Sequence, residues 1–251
     1  MLDTAAAALR SKANLSARVR FRIDLVGHQL FGSGKYLQKG RAPQLKSRLE
    51  LAAQTSSGKM TLHHVNDGIH WWRYQDYGQQ ADFSYVNLES LRDQLTRPKH
   101  QAAGRPYSDL VLGGLPRLLA SLRNRFQLTN AVQVHRGGQL MWRVGGAWRG
   151  DPVPAASVAA EPRTRRKFSH VPDSVVIYFD ASTLFPVRFE FYRQVGDATP
   201  KLLVAMELYE VQFEVTIDDR QFTQPSEMIP KDVTDEFLGQ IQVSESGNPG
   251  E

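Results

Sequence analysis

The octet Arg18-Val19-Arg20-Phe21-Arg22-Ile23-Asp24-Leu25 places four apolar residues on one parity and four charged ones on the other. Successive side chains of a strand point to opposite faces, so this stretch buries one face and wets the other. The alternation recurs at Gln29–Gln38, Gln44–Gln54, Lys59–Asn66 and Ile69–Tyr74, and a shorter strand at Asp82–Val86 closes the first half. It returns at Ala131–Arg136, Gln139–Val144, Ser174–Phe179, Val187–Val195, Lys201–Val211 and Phe213–Ile217. Turn residues separate the runs: Gly27-His28, Ser56-Ser57-Gly58, Asp67-Gly68 and Gly137-Gly138. Asp-Gly and Gly-Gly between alternating runs are two-residue hairpin signals. The pattern predicts a large antiparallel sheet with one apolar face, and function turns on what covers that face.

Two stretches change period. Asp3–Lys12 is Ala-rich and free of breakers, which predicts an N-terminal helix capped by Asp3 or Thr4. In the middle, Asn87 caps a stripe of Leu88, Leu91 and Leu95 at helical spacing. Leu110, Leu115, Leu118, Leu119, Leu122 and Phe126 mark a second stripe, interrupted by Gly113-Gly114 and restarted at Pro116. These helices are too few for a domain of their own, so they are expected to lie across the apolar face. Residues 149–172 are rich in Pro, Ala and Arg and read as a surface loop, and residues 239–251 read as a disordered tail.

At 251 residues the chain accommodates one all-β domain, expected over residues 1–238. The absence of cysteine excludes disulfides and thiol chemistry and fits either redox compartment. No apolar run reaches the ~18–20 residues of a membrane span, and Met1-Leu2-Asp3-Thr4 lacks the start of a signal peptide. The chain is therefore expected to be cytosolic, or exported with its signal already trimmed. Net charge is +5, with much of the excess in the run Arg163-Thr164-Arg165-Arg166-Lys167. Such a run is ordinarily a solvated loop, with anion binding the sharper alternative.

Little catalytic chemistry is legible. Gly32-Ser33-Gly34-Lys35 fails the phosphate-loop pattern, because Gln29 and Tyr36 occupy its outer positions and no helix follows. A metal site would need His64 and His70 to meet across the Asp67-Gly68 hairpin with Asp67 as the only further ligand, and adjacent His63 and His64 point to opposite faces, so no metal site is assigned. No nucleophile elbow is present, and Asp218-Asp219 reads as a turn or cap. The chain is read as a non-enzyme without cofactor. Aromatics such as Trp72, Trp142, Phe189 and Phe191 sit on the predicted strands, where they fill a core or line an unfilled pocket. Opposite them, Gly32, Gly34 and Met206 would leave room for a ligand.

The order of elements, with Leu30-Phe31-Gly32-Ser33-Gly34-Lys35-Tyr36-Leu37-Gln38, Asn66-Asp67-Gly68 before Trp71-Trp72, and Val175–Phe179 with Leu184–Arg188, resembles a known superfamily. Together with Leu208–Val211 and Ile217-Asp218-Asp219-Arg220-Gln221-Phe222, these residues make the chain similar to the LolA, LolB and LppX-like lipoprotein and lipid carriers. The resemblance runs over roughly residues 5–238 and is structural in kind. It implies an α+β, mainly antiparallel fold: an unclosed half-barrel of about 10–11 strands whose concave face is covered by a helical lid. It also implies a periplasmic or secreted carrier, its signal removed, that holds the acyl chains of a lipid or lipoprotein.

On that reading Val19, Phe21, Ile23, Leu25, Leu49, Leu62, Trp72, Phe189, Phe191 and Met206 line the cavity. Leu118, Leu119 and Leu122 form the lid, and Arg163, Arg165, Arg166 and Lys167 touch anionic headgroups at a membrane surface. The chain is expected to act as a monomer without nucleic acid, since aromatics interleaved with the Arg run are too few. The alternative is a structural or protein-interaction module of the same fold, its core filled and without lipid cargo.

Overall fold

The computed structural model describes residues 1–25, 28–42, 44–55, 58–95, 106–149, 172–194 and 199–239. Gly27, Ser56 and Ser57 of two expected turns, nearly all of the 149–172 loop and the tail beyond Gly239 lie outside these residues, as does the basic run Arg163–Lys167.

Helix α1 (Leu2–Ser11) buries Leu2, Ala5, Ala6 and Leu9, the i, i+3, i+4, i+7 stripe of an amphipathic helix. It starts before the expected caps: Met1 is the N-cap, without a side-chain bond, and Asp3 sits in the first turn. Starting at Leu2 adds a further buried residue to the stripe, which outweighs a side-chain cap at Asp3 or Thr4.

Six strands follow: β1 (Asn14–Leu25), β2 (His28–Lys39), β3 (Lys46–Thr55), β4 (Gly58–Asn66), β5 (His70–Asp76) and β6 (Ala81–Asn87). Helices α2 (Leu88–Leu95) and α3 (Pro106–Arg125) come next, then β7 (Phe126–Leu128), β8 (Val132–Arg136) and β9 (Gln139–Trp148). The second half adds β10 (Ser174–Asp180), β11 (Pro186–Arg193), β12 (Lys201–Phe213) and the short β13 (Lys231–Asp232). They form one 13-stranded unclosed sheet in the order β13-β6-β5-β4-β3-β2-β1-β12-β11-β10-β9-β7, with β8 also on β9. All pairings are antiparallel except β13 with β6. The count exceeds the expected 10–11 because Phe126, the last residue of the predicted helical stripe, begins β7, and the two-residue β13 is too short to show a period.

The parity of β1 decides the faces. Leu15, Ala17, Val19 and Phe21 are buried on the inner, helix-covered face, while Arg18 and Arg20 lie outside beside Glu210 and Glu207. Turn chemistry also holds where described. Gly137 and Gly138 both take positive φ (57° and 80°), as a tight hairpin requires, and Asp67 Oδ1 accepts the N–H groups of Ile69 and His70. Asn87 Oδ1 accepts the N–H of Glu89 at the start of α2.

The expected strand Phe213–Ile217 does not form. β12 runs unbroken to Phe213, and Glu214 (φ 53°) turns the chain onto the outer face. There Ile217 and Phe222 pack on Leu37, Val65 and Trp72, making a second, smaller core. The carbonyls of Ile217 and Gln221 accept from Lys39 and Arg48, and Asp219 bridges Lys39 and Lys46. Asp218 accepts the Arg220 N–H at the start of a 3-10 turn, the capping role its position suggested.

Candidate functional site

The inner face is organised by a break in α3. Gly114 takes φ 67°, ψ −170°, inside a segment that is otherwise helical. A side chain there would collide with Gln38. Two residues on, Pro116 has no N–H to return to the carbonyl of Leu112. In an unbroken helix the Leu115 N–H would bond to the Val111 carbonyl.

Both halves of that missing bond are taken by the sheet. The Val111 carbonyl accepts from Ser47 Oγ and from Asn66 Nδ2, the latter at 3.1 Å. The Leu115 N–H donates to Tyr36 Oη, whose own hydroxyl donates to Gln38 Oε1 at 2.9 Å. Burial pushes the Tyr36 phenol up, with the Leu115 N–H opposing it, so it stays a neutral donor. These four polar side chains sit on adjacent rows of β2, β3 and β4, with Gln38 opposite Ser47 and Ser47 opposite Asn66. None is among the site residues expected from the sequence, although Tyr36, Gln38 and Asn66 fall in the segments that carry the resemblance. The signal available was their parity, which sets polar groups on a face otherwise apolar.

The break also folds α3 back on itself, and Asp109 near its start pairs with Arg117 at 3.3 Å and Arg125 at 3.0 Å. Asp109 and Arg125 are both buried. Burial pulls the Arg125 guanidinium down, while Asp109 pulls it back up.

The expected cavity residues divide. Val19, Leu49, Phe189 and Phe191 are buried on the inner face in one cluster with Leu118, Leu119 and Leu122, the expected lid. Ile23, Leu62 and Met206 lie on the same face but stay half-buried, Ile23 and Met206 toward the C-terminal end of β1 and Leu62 level with Val19. Phe21 does not face a void, because its ring lies where a side chain on Gly32 would sit. Gly32 and Gly34 therefore provide close approach for Phe21 and the neighbouring strand, not space for a ligand. Trp72 belongs to the other face: its Nε1 donates to Asp67 Oδ2 at 2.8 Å, within the outer core. Its neighbour Trp71 holds the inner position, donating from Nε1 to His64 Nδ1 at 3.0 Å. The side chain of Leu25 lies outside the described residues.

A cavity of about 540 Å³ opens at the other end of the strands from Ile23, beside the α3 break. That volume falls within the range of about 300–1,000 Å³ usual for small-molecule sites. Its wall is apolar, from Leu9, Leu45, Leu88, Leu112 and Pro116, and Gln38 and Asn66 reach it from the sheet. Arg10, Lys12, Arg41 and Arg117 also line it, and among the described residues no carboxylate does. None of the nine expected cavity residues whose side chains are described lines this opening. Helix α1 was the missing ingredient: its buried stripe covers the inner face beside α3, so the sheet centre is filled and the opening is displaced to the rim.

Histidine geometry is as parity requires. His64 is buried on the inner face, and His63 stacks edge-on with Tyr74 on the outer one. Among the described residues no cluster of three or more His, Asp or Glu side chains is placed to hold a metal ion. No helix of the described residues is long and apolar enough to cross a membrane.

No protein-family model and no curated protein matches the chain. Solved structures with similar architecture include MucB, at 12% identity and TM-score 0.47, covering 92% of this chain and 63% of MucB. A DUF1329 family protein from Desulfovibrio piger aligns at 10% identity and TM-score 0.39, covering 88% of this chain and 94% of that one. The lipoprotein LppX from Mycobacterium tuberculosis aligns at 10% identity and TM-score 0.39, covering 86% and 98%. Likenesses this distant leave function to be read from this chain's own residues.

Proposed function

We propose that this chain is a non-catalytic binding protein or carrier that holds lipid acyl chains, of a lipid or a lipoprotein, outside the cytoplasm. The observation that carries the reading is the 540 Å³ opening, whose apolar wall lies at the hinge of the helix covering the inner face. Each methylene buried there contributes about 0.8 kcal/mol, so part of one acyl chain supplies several kcal/mol before ordering costs. A longer chain would extend under α3, where Leu118, Leu119 and Leu122 already cover apolar sheet residues. Displacing those leucines exchanges one apolar partner for another, so the exchange costs little beyond the polar bonds at the break.

Native mass spectrometry of gently purified protein, with an organic extract of the same sample, tests the reading. Bound lipid, or uptake of a fluorescent fatty acid by delipidated protein, is the expected result. A chain that carries no lipid and takes up none would instead be a structural or protein-interaction module. The filled centre of the inner face, with Leu119 and Leu122 fully buried, is the observation favouring that second reading.

A further inference from the structure

The cations of the opening come from separate parts of the chain. Arg10 and Lys12 lie at the end of α1, Arg41 in the connection from β2 to β3, and Arg117 in the second half of α3. Gathering four like charges around one apolar hollow is unfavourable unless an anion joins them.

Among the described residues, four carboxylates of the neighbouring elements are committed elsewhere. Asp109 divides one negative charge between Arg117 and the buried Arg125. Asp67 Oδ2 is held by Trp72 on the outer face, and Asp219 lies between Lys39 and Lys46. Glu214 Oε1 accepts from the Ala13 N–H at 3.3 Å. Arg41 donates to the neutral carbonyl of Ser11 at 2.7 Å, and Lys12 lies 5.6 Å from the ring centroid of Phe213. Neither contact offsets a charge. Arg10 forms no ion pair among the described residues.

We propose that this opening binds an anionic amphiphile, its phosphate or carboxylate head on Arg10, Lys12, Arg41 and Arg117 and its tail on the Leu9–Leu45–Leu112 wall. The proposal rests on the lipid-binding reading and names the cargo class: lipids with a negatively charged head, in preference to zwitterionic or neutral ones. It places headgroup recognition on a site formed by three distant segments of the described chain.

Calorimetric titration of the delipidated full chain, below micelle concentration, separates the possibilities. The probes are lysophosphatidylglycerol, lysophosphatidylcholine of the same chain length, and inorganic phosphate. The glycerol lipid is expected to bind about tenfold or more tighter than the choline lipid, a preference that shrinks as salt is raised. The double variant Arg10→Gln/Lys12→Gln changes exposed side chains, so its melting temperature reports intact folding; its preference is expected to fall toward one. The outer-face control Arg18→Gln/Arg20→Gln is expected to retain the preference. Equal binding of both lipids, or an undiminished preference in the Arg10/Lys12 variant, overturns the headgroup site and leaves lipid binding standing. Inorganic phosphate binding as tightly as the glycerol lipid overturns the amphiphile and leaves a simple anion site. No binding of either lipid overturns the lipid reading as well.

Discussion

Asp109 and Arg125 meet at 3.0 Å in the protein interior although 16 residues of one helical segment separate them. A straight helix would set their backbones about 24 Å apart. The pair exists because Gly113-Gly114 and Pro116 turn the second half of α3 back beside the first. Its formation is thus a direct readout of the helix break.

Removing the carboxylate alone leaves a buried guanidinium without a counter-charge. Asp109→Asn is expected to lower unfolding stability by about 3–5 kcal/mol in urea titration. Asp109→Leu combined with Arg125→Leu is expected to recover most of the loss, since Arg117 is part-exposed and can turn to water. A double variant as unstable as the single one would show that packing, not charge, dominates the site.

The bonds from Ser47 and Asn66 to the Val111 carbonyl hold the first half of α3 to the sheet. Ser47→Ala with Asn66→Ala is expected to cost about 1–3 kcal/mol, the penalty for an unsatisfied buried carbonyl. Hydrogen exchange should rise in α3 while β1, β2 and β12 stay protected. Equal loss of protection throughout the sheet would argue against a locally held helix.

His64 gives stability an acid-side dependence. Burial, with Arg73 and His63 adding repulsion, brings its pKa down to about 3, against 6.5 for a free imidazole. Between those values the unfolded chain binds the proton and the folded one does not, so stability falls as pH drops from about 6.5 toward 3. Above pH 6.5 the contribution is fully present. His64→Gln, which keeps an acceptor for Trp71 Nε1, should flatten the slope by up to one proton, about 1.4 kcal/mol per pH unit. An unchanged slope between pH 6 and 4 would assign the acid sensitivity to carboxylates instead.

Phe21 covers the bare backbone of Gly32. Phe21→Ala is expected to cost about 3–5 kcal/mol, as for other buried aromatics, with loss read from the denaturation midpoint. A cost below about 1 kcal/mol would mean that the ring lines open space after all.

Much of the sheet was legible because β periodicity is local. The octet at Arg18–Leu25 fixes which parity is apolar, and the Gly137-Gly138 and Asp67-Gly68 turns fix two hairpins. The helix break was legible for the same reason, since Gly113-Gly114 and Pro116 act on their own backbone. Trp72 shows where the method stops. Parity within β5 separates Trp71 from Trp72, but only the register with β4 shows which of them faces inward. The fate of Phe213–Ile217 was equally hidden, because an apolar alternation fits a strand until Glu214 turns the chain to cover Leu37 and Val65.

The sequence by itself determined most of the strands, the apolar parity of β1 and the point where α3 breaks, all consequences of side-chain spacing and backbone freedom within a few residues. Tertiary structure alone decided what fills the inner face and where it stays open. Apolar spacing specifies that a surface must be covered but not by which partner. The stripe of α1 takes that place beside α3 and leaves the gap at the rim among Arg10, Arg41 and Arg117. Their proximity is a product of packing between segments distant in the chain, which no local pattern encodes.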